Sequence, residues 1–92
     1  MTESFTESWS IDQQAVQSKV GDETIILHLE SGTYFGLDAI ATRIWQGLKE
    51  GNTPDLICEE LATEFNMNQA VVEADARSFI SELIKHGLVS KG

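Results

Sequence analysis

Apolar and polar residues alternate through the early part of the chain and then recur at helical spacing. Between residues 15 and 37 the alternation breaks at Gly21-Asp22 and again at Ser31-Gly32. Such pairs are typical of the two-residue loops that join antiparallel strands. The pattern therefore predicts a three-stranded antiparallel meander.

The register of these strands decides which side chains share a face. Loops of two residues place Val20 opposite Glu23 and Glu30 opposite Thr33. The more apolar face is expected to meet the core, and its members are Val16, Val20, Ile25, Leu27, Leu29 and Tyr34. The other face is mixed and is free for solvent or another contact, with Gln17, Lys19, Thr24, Ile26, His28 and Phe35.

Helical spacing of apolar residues predicts three helices, over residues 38–50, 54–65 and 69–86. The expected start signals are Asp38, Thr53-Pro54 and Asn68. Gly51 and Gly87 are the expected stops. Three strands followed by three helices predict an α+β domain of winged helix-turn-helix character.

The first fourteen residues differ in composition from the rest. They are acidic, rich in Ser and Thr, and show no sustained apolar period. We expect residues 1–14 to form a flexible or loosely docked tail, in which Trp9 can pack on the domain. Residues 15–92 are expected to form the domain itself.

Charge limits the classes of partner. Among 92 residues, 15 are acidic and 6 are basic, which gives a net charge of −9. This is the wrong sign for holding a phosphate backbone. A winged-helix DNA-binding regulator stays the main alternative, but Arg77 and Lys85 are the only cations of the second and third predicted helices. We expect no nucleic-acid partner.

The chain offers little for catalysis, metal binding or membrane insertion. Cys58 is the sole cysteine and has no histidine close in sequence, while His28 and His86 lack metal-ligand spacing. We therefore expect no enzyme activity, no metal and no cofactor. The longest apolar run, Ile25–Leu27, cannot span a membrane, and the N-terminus lacks a secretory pattern, so a cytoplasmic location is expected.

Binding is better supported than catalysis. The third strand, Thr33–Leu37, has one neighbour in a meander, so its other edge can pair with an extended peptide. The third helix could wall such a groove with Val71, Val72, Asp75, Ser78, Phe79 and Glu82. The alternative is that Val72 and Phe79 belong to the core, while Asp75 and Glu82 face solvent.

Ordered motifs over residues 16–90 resemble one known family. They are Gly21-Asp22-Glu23, the segment Ser31–Asp38 (SGTYFGLD), Ile44-Trp45 with Leu48 and Gly51, and Asp75 ahead of Phe79, Leu83 and Gly87-Leu88-Val89. The sequence resembles the PqqD-like proteins, also called RiPP precursor peptide recognition elements. In Asp38 it departs from the asparagine more usual in the family, although both residues cap helices.

The resemblance implies a non-catalytic adaptor that binds the leader of a ribosomally made precursor peptide and presents it to a maturation enzyme. It implies that the leader pairs with Thr33, Tyr34, Phe35, Gly36 and Leu37. The pocket is then expected to be shaped by Val72, Asp75, Ala76, Phe79 and Leu83. Family members act with a radical-SAM enzyme in pyrroloquinoline quinone assembly, or with a leader protease in lasso-peptide maturation. A homodimer formed through the open edge is a further alternative.

Overall fold

The structure is a computed structural model that describes residues 6–21 and 23–91. Within these residues the chain forms five strands and three helices. In chain order they are β1 (Trp9–Ile11), β2 (Ala15–Val20), β3 (Glu23–His28), β4 (Thr33–Leu37), α1 (Ala39–Lys49), α2 (Pro54–Glu64), α3 (Gln69–Lys85) and β5 (Val89–Lys91). The predicted α+β class, with an antiparallel meander followed by three helices, is confirmed.

The first hairpin of the meander has the predicted register. Val20 pairs with Glu23, and Gly21 takes a positive φ of 63°, as a two-residue hairpin loop requires. Asp22, the second residue of the predicted loop, lies outside the described residues.

The second hairpin is wider than predicted. His28, not Glu30, pairs with its partner Thr33, so residues 29–32 form a loop of four. The loop closes because Gly32, with φ 72°, donates its N–H to the carbonyl of His28 at 2.8 Å. The register is thus shifted by two residues, which leaves each side chain on its predicted face.

The predicted core face is wrong, because the sheet packs on the helices through its other side. Thr24, Ile26 and His28 are the buried residues of β3. The residues expected in the core include Val20, which is 63% exposed, and Tyr34, which is 71% exposed. We call the buried side the inner face and the other the outer face; the outer face carries Val16, Val20, Ile25, Leu27 and Tyr34, and Leu29 in the adjoining loop is also exposed.

Two polar side chains of the inner face, Gln17 and His28, have hydrogen-bond partners outside the strand on which each lies. Gln17 Oε1 accepts a hydrogen bond from Trp45 Nε1 of α1 at 3.1 Å. His28 Nδ1 lies 3.0 Å from Ser31 Oγ, and His28 Nε2 lies 3.3 Å from Asp12 Oδ2. A buried polar side chain with partners avoids most of the cost of leaving water. The hydroxyl of Thr24, which is also buried on this face, has no hydrogen-bond partner among the described residues.

The three helices lie within one residue of their predicted bounds and begin at the predicted caps. Asp38 Oδ1 accepts from the N–H of Ala41 at 2.8 Å, and Asn68 Oδ1 accepts from the N–H of Ala70 at 2.8 Å. Gly87, with φ 74°, ends α3 and lets the chain turn directly into β5.

Part of the predicted tail is a strand. Trp9–Ile11 pairs antiparallel with β5 in a separate two-stranded sheet, and Trp9 is buried. The N–H of Asp12 donates to the carbonyl of Leu88 at 2.8 Å and extends this connection. The prediction of a tail over residues 1–14 is therefore wrong for residues 9–11, because an unpredicted C-terminal strand supplies their hydrogen bonds. Residues 1–5 lie outside the described residues.

The core lies between the inner face and the helices. Its largest fully buried side chain is Trp45, which is 1% exposed. The first two helices approach closely at Gly47, since a Cβ there would lie 2.6 Å from Ile57 Cδ1. In the part of the chain that the structure describes, no helix is long and apolar enough to cross a membrane.

Candidate functional site

The candidate site begins at the free edge of β4. The strand order is β2-β3-β4, and among the described residues no further strand pairs with β4. The strand lies beside β3 on one side only, as the sequence predicts. Its other side leaves main-chain N–H and C=O groups available to an extended peptide.

The hydrogen-bond pattern identifies which residues carry these groups. The N–H of Leu29 donates to the carbonyl of Gln14 at 2.9 Å, so odd-numbered positions along β3 face β2. Even-numbered positions of β3 then face β4, where their partners are Thr33, Phe35 and Leu37. The main-chain groups of Tyr34 and Gly36 are left to point outward along the free edge.

A cavity of about 360 Å³ opens where β4 leads into α1. It lies between the first turns of α1 and the middle of α3, and it is lined by Asp38, Ile40, Ala41, Ile44, Asp75 and Phe79. We call it the α1–α3 cavity. Its lining combines apolar side chains with two carboxylates, of which Asp38 is engaged in capping α1. Asp75 is exposed at its rim.

The ring of Phe35 links β4 to the far end of α3. Its side chain lies on the inner face and packs against the core. The centroid of its ring is 4.9 Å from that of His86, the residue that caps the C-terminus of α3, and the rings are tilted by 59°. Phe35 therefore supports the edge strand from the inner face, and its half-buried side chain leaves the prediction of peptide contact open to test.

The structure divides the predicted lining of α3 into three groups. Asp75 and Phe79 line the α1–α3 cavity. Val72, Ala76 and Leu83 are core residues, each at most 2% exposed, so they do not line a surface of the free protein. Ser78 and Glu82 lie in a separate shallow depression, and Val71 is half exposed near the start of the helix.

The half of the cavity that α1 contributes was missed by the sequence analysis. The helical spacing predicts only that residues 38–50 form a helix with Asp38 as its cap, and it gives no role in a site to Ile40, Ala41 or Ile44. The one available signal was their position directly after the edge strand, because a helix that starts there must hold its first turn beside the end of that strand.

Other reactive groups lie away from this site. Burial raises the pKa of the Cys58 thiol from 9.0 to about 11, so the thiol is protonated at neutral pH. Arg43 and Glu64 form an ion pair between α1 and α2, and their hydrogen bond raises the pKa of Arg43 and lowers that of Glu64. Within residues 6–21 and 23–91, no group of three or more acidic, histidine or cysteine side chains could hold a metal ion.

The sheet, the free edge and the cavity define a small α+β domain with an antiparallel meander followed by three helices. The profile of a family described as coenzyme PQQ synthesis protein D (PqqD) matches residues 23–89. The chain belongs to the PqqD family. No curated protein matches it.

Two solved structures resemble the fold over most of its length. TbiB1 in complex with the TbiA(beta) leader peptide is 38% identical, covers 88% of this chain and 94% of that chain, and superposes with a TM-score of 0.80. Lasso peptide synthetase B1 complexed with the leader peptide is 20% identical, covers 90% of this chain and 98% of that chain, and has a TM-score of 0.82. The second likeness is one of fold alone.

Proposed function

We propose that this protein is a non-catalytic adaptor that captures the leader of a ribosomally made precursor peptide by adding it as a strand beside β4. The observation that carries the proposal is the free edge at Tyr34 and Gly36, with the α1–α3 cavity at its end. The relative that is 38% identical is a complex with a leader peptide, which supports the same class of ligand. We place this activity in the cytoplasm, where precursors are made.

The two parts of the site divide the work of recognition. Main-chain hydrogen bonds along β4 hold the peptide without regard to its sequence, whereas a pocket gives specificity. The α1–α3 cavity accepts one apolar side chain of the leader against Ile40, Ile44 and Phe79. Asp75 at the rim accepts a hydrogen bond from a neighbouring polar or basic group. The net charge of −9 favours a leader with basic residues.

The test is a titration with the TbiA(beta) leader peptide, with a scrambled peptide and a DNA duplex as controls. We expect a Kd near or below about 1 μM, which is about −8 kcal/mol, and no binding of the controls. Phe79→Ala should weaken binding about tenfold or more, because it removes the largest apolar wall of the cavity. Glu73→Gln is the matched control, because it lies on the same helix but outside the cavity and outside the predicted groove lining, and it should bind as the wild type does.

A loss of binding must be separated from a loss of folding. Thermal melts of each variant give this control, because Phe79 packs partly against the core. Asp75→Asn gives a second arm without that risk, since Asp75 is exposed. Binding of the scrambled peptide with equal affinity, or unchanged affinity in both variants, would contradict the site.

We further propose that the outer face receives the maturation enzyme, a leader protease or a radical-SAM enzyme. A set of exposed apolar side chains in register is typical of a protein contact surface. This face continues to the edge where the leader adds, so an enzyme bound there would reach the captured peptide. The double variant Val16→Ser with Val20→Ser lies on β2, away from that edge.

We expect the double variant to keep the leader affinity but to lose binding to the enzyme encoded beside this protein, measured by co-purification and by the rate of leader processing. Its matched control is Lys19→Ser, also on β2 but outside the outer face. Processing at the wild-type rate by the double variant would overturn this second proposal and leave leader capture untouched.

A further inference from the structure

Gly36 occupies a strand position at which the fold of the free protein does not require glycine. Its φ lies outside the left-handed region, so any residue could adopt this backbone. A Cβ built on it would meet only Ile25 Cδ1 at 3.9 Å, which is ordinary van der Waals contact. Glycine in the interior of a strand lowers its stability and often marks a close approach by a ligand. The free fold therefore places no requirement for glycine at this position.

The neighbours of Gly36 form a notch in the outer face. Gly36 pairs with Ile25, and Ile25 pairs with Ser18, so the row across the sheet has its one large side chain in the middle. The adjacent row is fully apolar and ends in Tyr34 at the free edge. We name the gap bounded by Ile25, Gly36 and Tyr34 the Gly36 notch.

An added strand would place one of its residues directly beside this gap. The main-chain groups of Gly36 point to the free edge, so in a strand that adds antiparallel to β4 the residue opposite Gly36 forms a hydrogen-bonded pair with it. Directly opposed residues project to the same face of a sheet. The side chain of that peptide residue therefore lies over the Gly36 notch, within reach of Ile25 and Tyr34.

We propose that the Gly36 notch is a specificity subsite for a large apolar or aromatic side chain of the captured peptide. A large side chain beside a glycine on a neighbouring strand covers the exposed backbone and fills the space that the glycine leaves. This subsite lies on the outer face, so the peptide residue that it contacts differs from the one that enters the α1–α3 cavity. The inference rests on strand addition at β4.

The experiment varies side-chain size at two places, in the peptide residue opposite Gly36 and at position 36 of the protein. The peptide residue opposite Gly36 is located from nuclear Overhauser contacts in the complex with the TbiA(beta) leader peptide. That residue is then replaced by Gly, Ala, Leu or Phe, and each peptide is titrated against the wild type, Gly36→Val and Ser18→Val. Ser18→Val is the matched control, because it adds the same side chain to the same row on the far strand. Thermal melts verify that both variants fold.

For the wild type we expect the Leu and Phe peptides to bind about five- to tenfold more tightly than the Gly peptide. In Gly36→Val the preference should disappear or reverse, because the added side chain occupies the notch. Ser18→Val should keep the wild-type order. Equal affinity of all four peptides for the wild type would overturn the notch while leaving strand capture standing. No binding of the unsubstituted leader peptide, which is titrated before any substitution is made, would overturn strand capture, and the notch with it.

Discussion

The inner and outer faces of the sheet β2-β3-β4 differ in what covers them. The inner face packs on α1 and buries Thr24 and His28 beside Ile26. The outer face leaves Val20 and Tyr34 mostly exposed, and no element of the described residues is assigned to cover it. Burial in this sheet therefore follows the side on which the helices pack, and not the apolar content of each face. His28 enters the core with partners for both ring nitrogens, whereas the buried hydroxyl of Thr24 has no hydrogen-bond partner among the described residues.

The exposed side of the sheet has a cost that the fold tolerates. Large apolar side chains in contact with water give up the stabilisation that burial would bring. A contiguous group of them on a small monomer is typical of a surface with a partner. The comparison of the two faces thus separates residues that stabilise the fold from residues that are free to bind.

The largest expected difference between the inner and outer faces is seen when two neighbouring isoleucines, one on each face, are shortened to alanine. Ile26→Ala should lower the free energy of unfolding by about 2–5 kcal/mol, because Ile26 is fully buried and leaves a cavity. Ile25→Ala removes the same atoms from a half-buried side chain and should cost under about 1.5 kcal/mol. Urea denaturation measures both. Equal losses would mean that the outer face is covered in solution.

The second prediction measures how dry the helical side of the core is. Burial raises the pKa of the Cys58 thiol to about 11, with the negative charges of Glu73 and Asp55 adding to the effect. The thiol therefore stabilises the fold fully below about pH 9, and this contribution is lost as the pH rises toward 11. The loss totals about 2–3 kcal/mol at most.

The measurement for Cys58 is the free energy of unfolding at about pH 8 and about pH 10.5 in the wild type and in Cys58→Ala. The variant lacks the thiol but keeps the other groups that titrate in this range. The wild type should lose more stability than the variant between the two values. Parallel curves would show that water reaches the thiol.

The smallest expected effect concerns a polar residue on the inner face. Gln17→Ala removes the acceptor of the Trp45 indole N–H and should cost about 1–3 kcal/mol, since Trp45 is buried. Val16→Ala, one residue away on the outer face, should stay within about 0.5 kcal/mol. Chemical denaturation of the two variants gives the comparison. A larger loss in Val16→Ala would reverse the assignment of the faces.

Short-range features of the fold could be predicted from the sequence. The helix caps Asp38 and Asn68, the stop at Gly87 and the first hairpin depend on residues within a few positions of one another. The free edge of β4 was also predictable from the sequence, because a meander must end in a strand with one neighbour. The sequence thus predicts the available edge, whereas the structure shows that only Tyr34 and Gly36 of β4 direct their main-chain groups to it.

Features that depend on distant partners could not be predicted in the same way. The sheet face was assigned by apolar count, whereas the structure buries His28 because Asp12 and Ser31 meet its two ring nitrogens. The strand at Trp9 requires β5 as its partner, and neither segment has a strong pattern of its own. The second hairpin has an α-turn at Gly32, which the pair Ser31-Gly32 does not distinguish from a two-residue loop.

The cavity shows the same limit within the candidate site. Asp75 and Phe79 were predicted to contact a ligand, and both line the α1–α3 cavity. Val72 and Ala76 share the same helix but face the core. Periodicity shows which residues form the apolar side of a helix, but not the angle at which the helix packs on its neighbours. Only the structure shows which residues of α3 line the cavity and which belong to the core.

The pairing of β1 with β5 brings the two ends of the described chain together. Trp9 lies opposite Lys91, and Glu7 reaches the ammonium group of Lys91 at 3.3 Å. The chain thus enters and leaves the domain at one corner, through a sheet that is separate from the one that carries β4. The domain can therefore be inserted into a larger polypeptide, or fused to another domain at either end, with the connection at this one corner. The free edge of β4 would be unchanged in either arrangement.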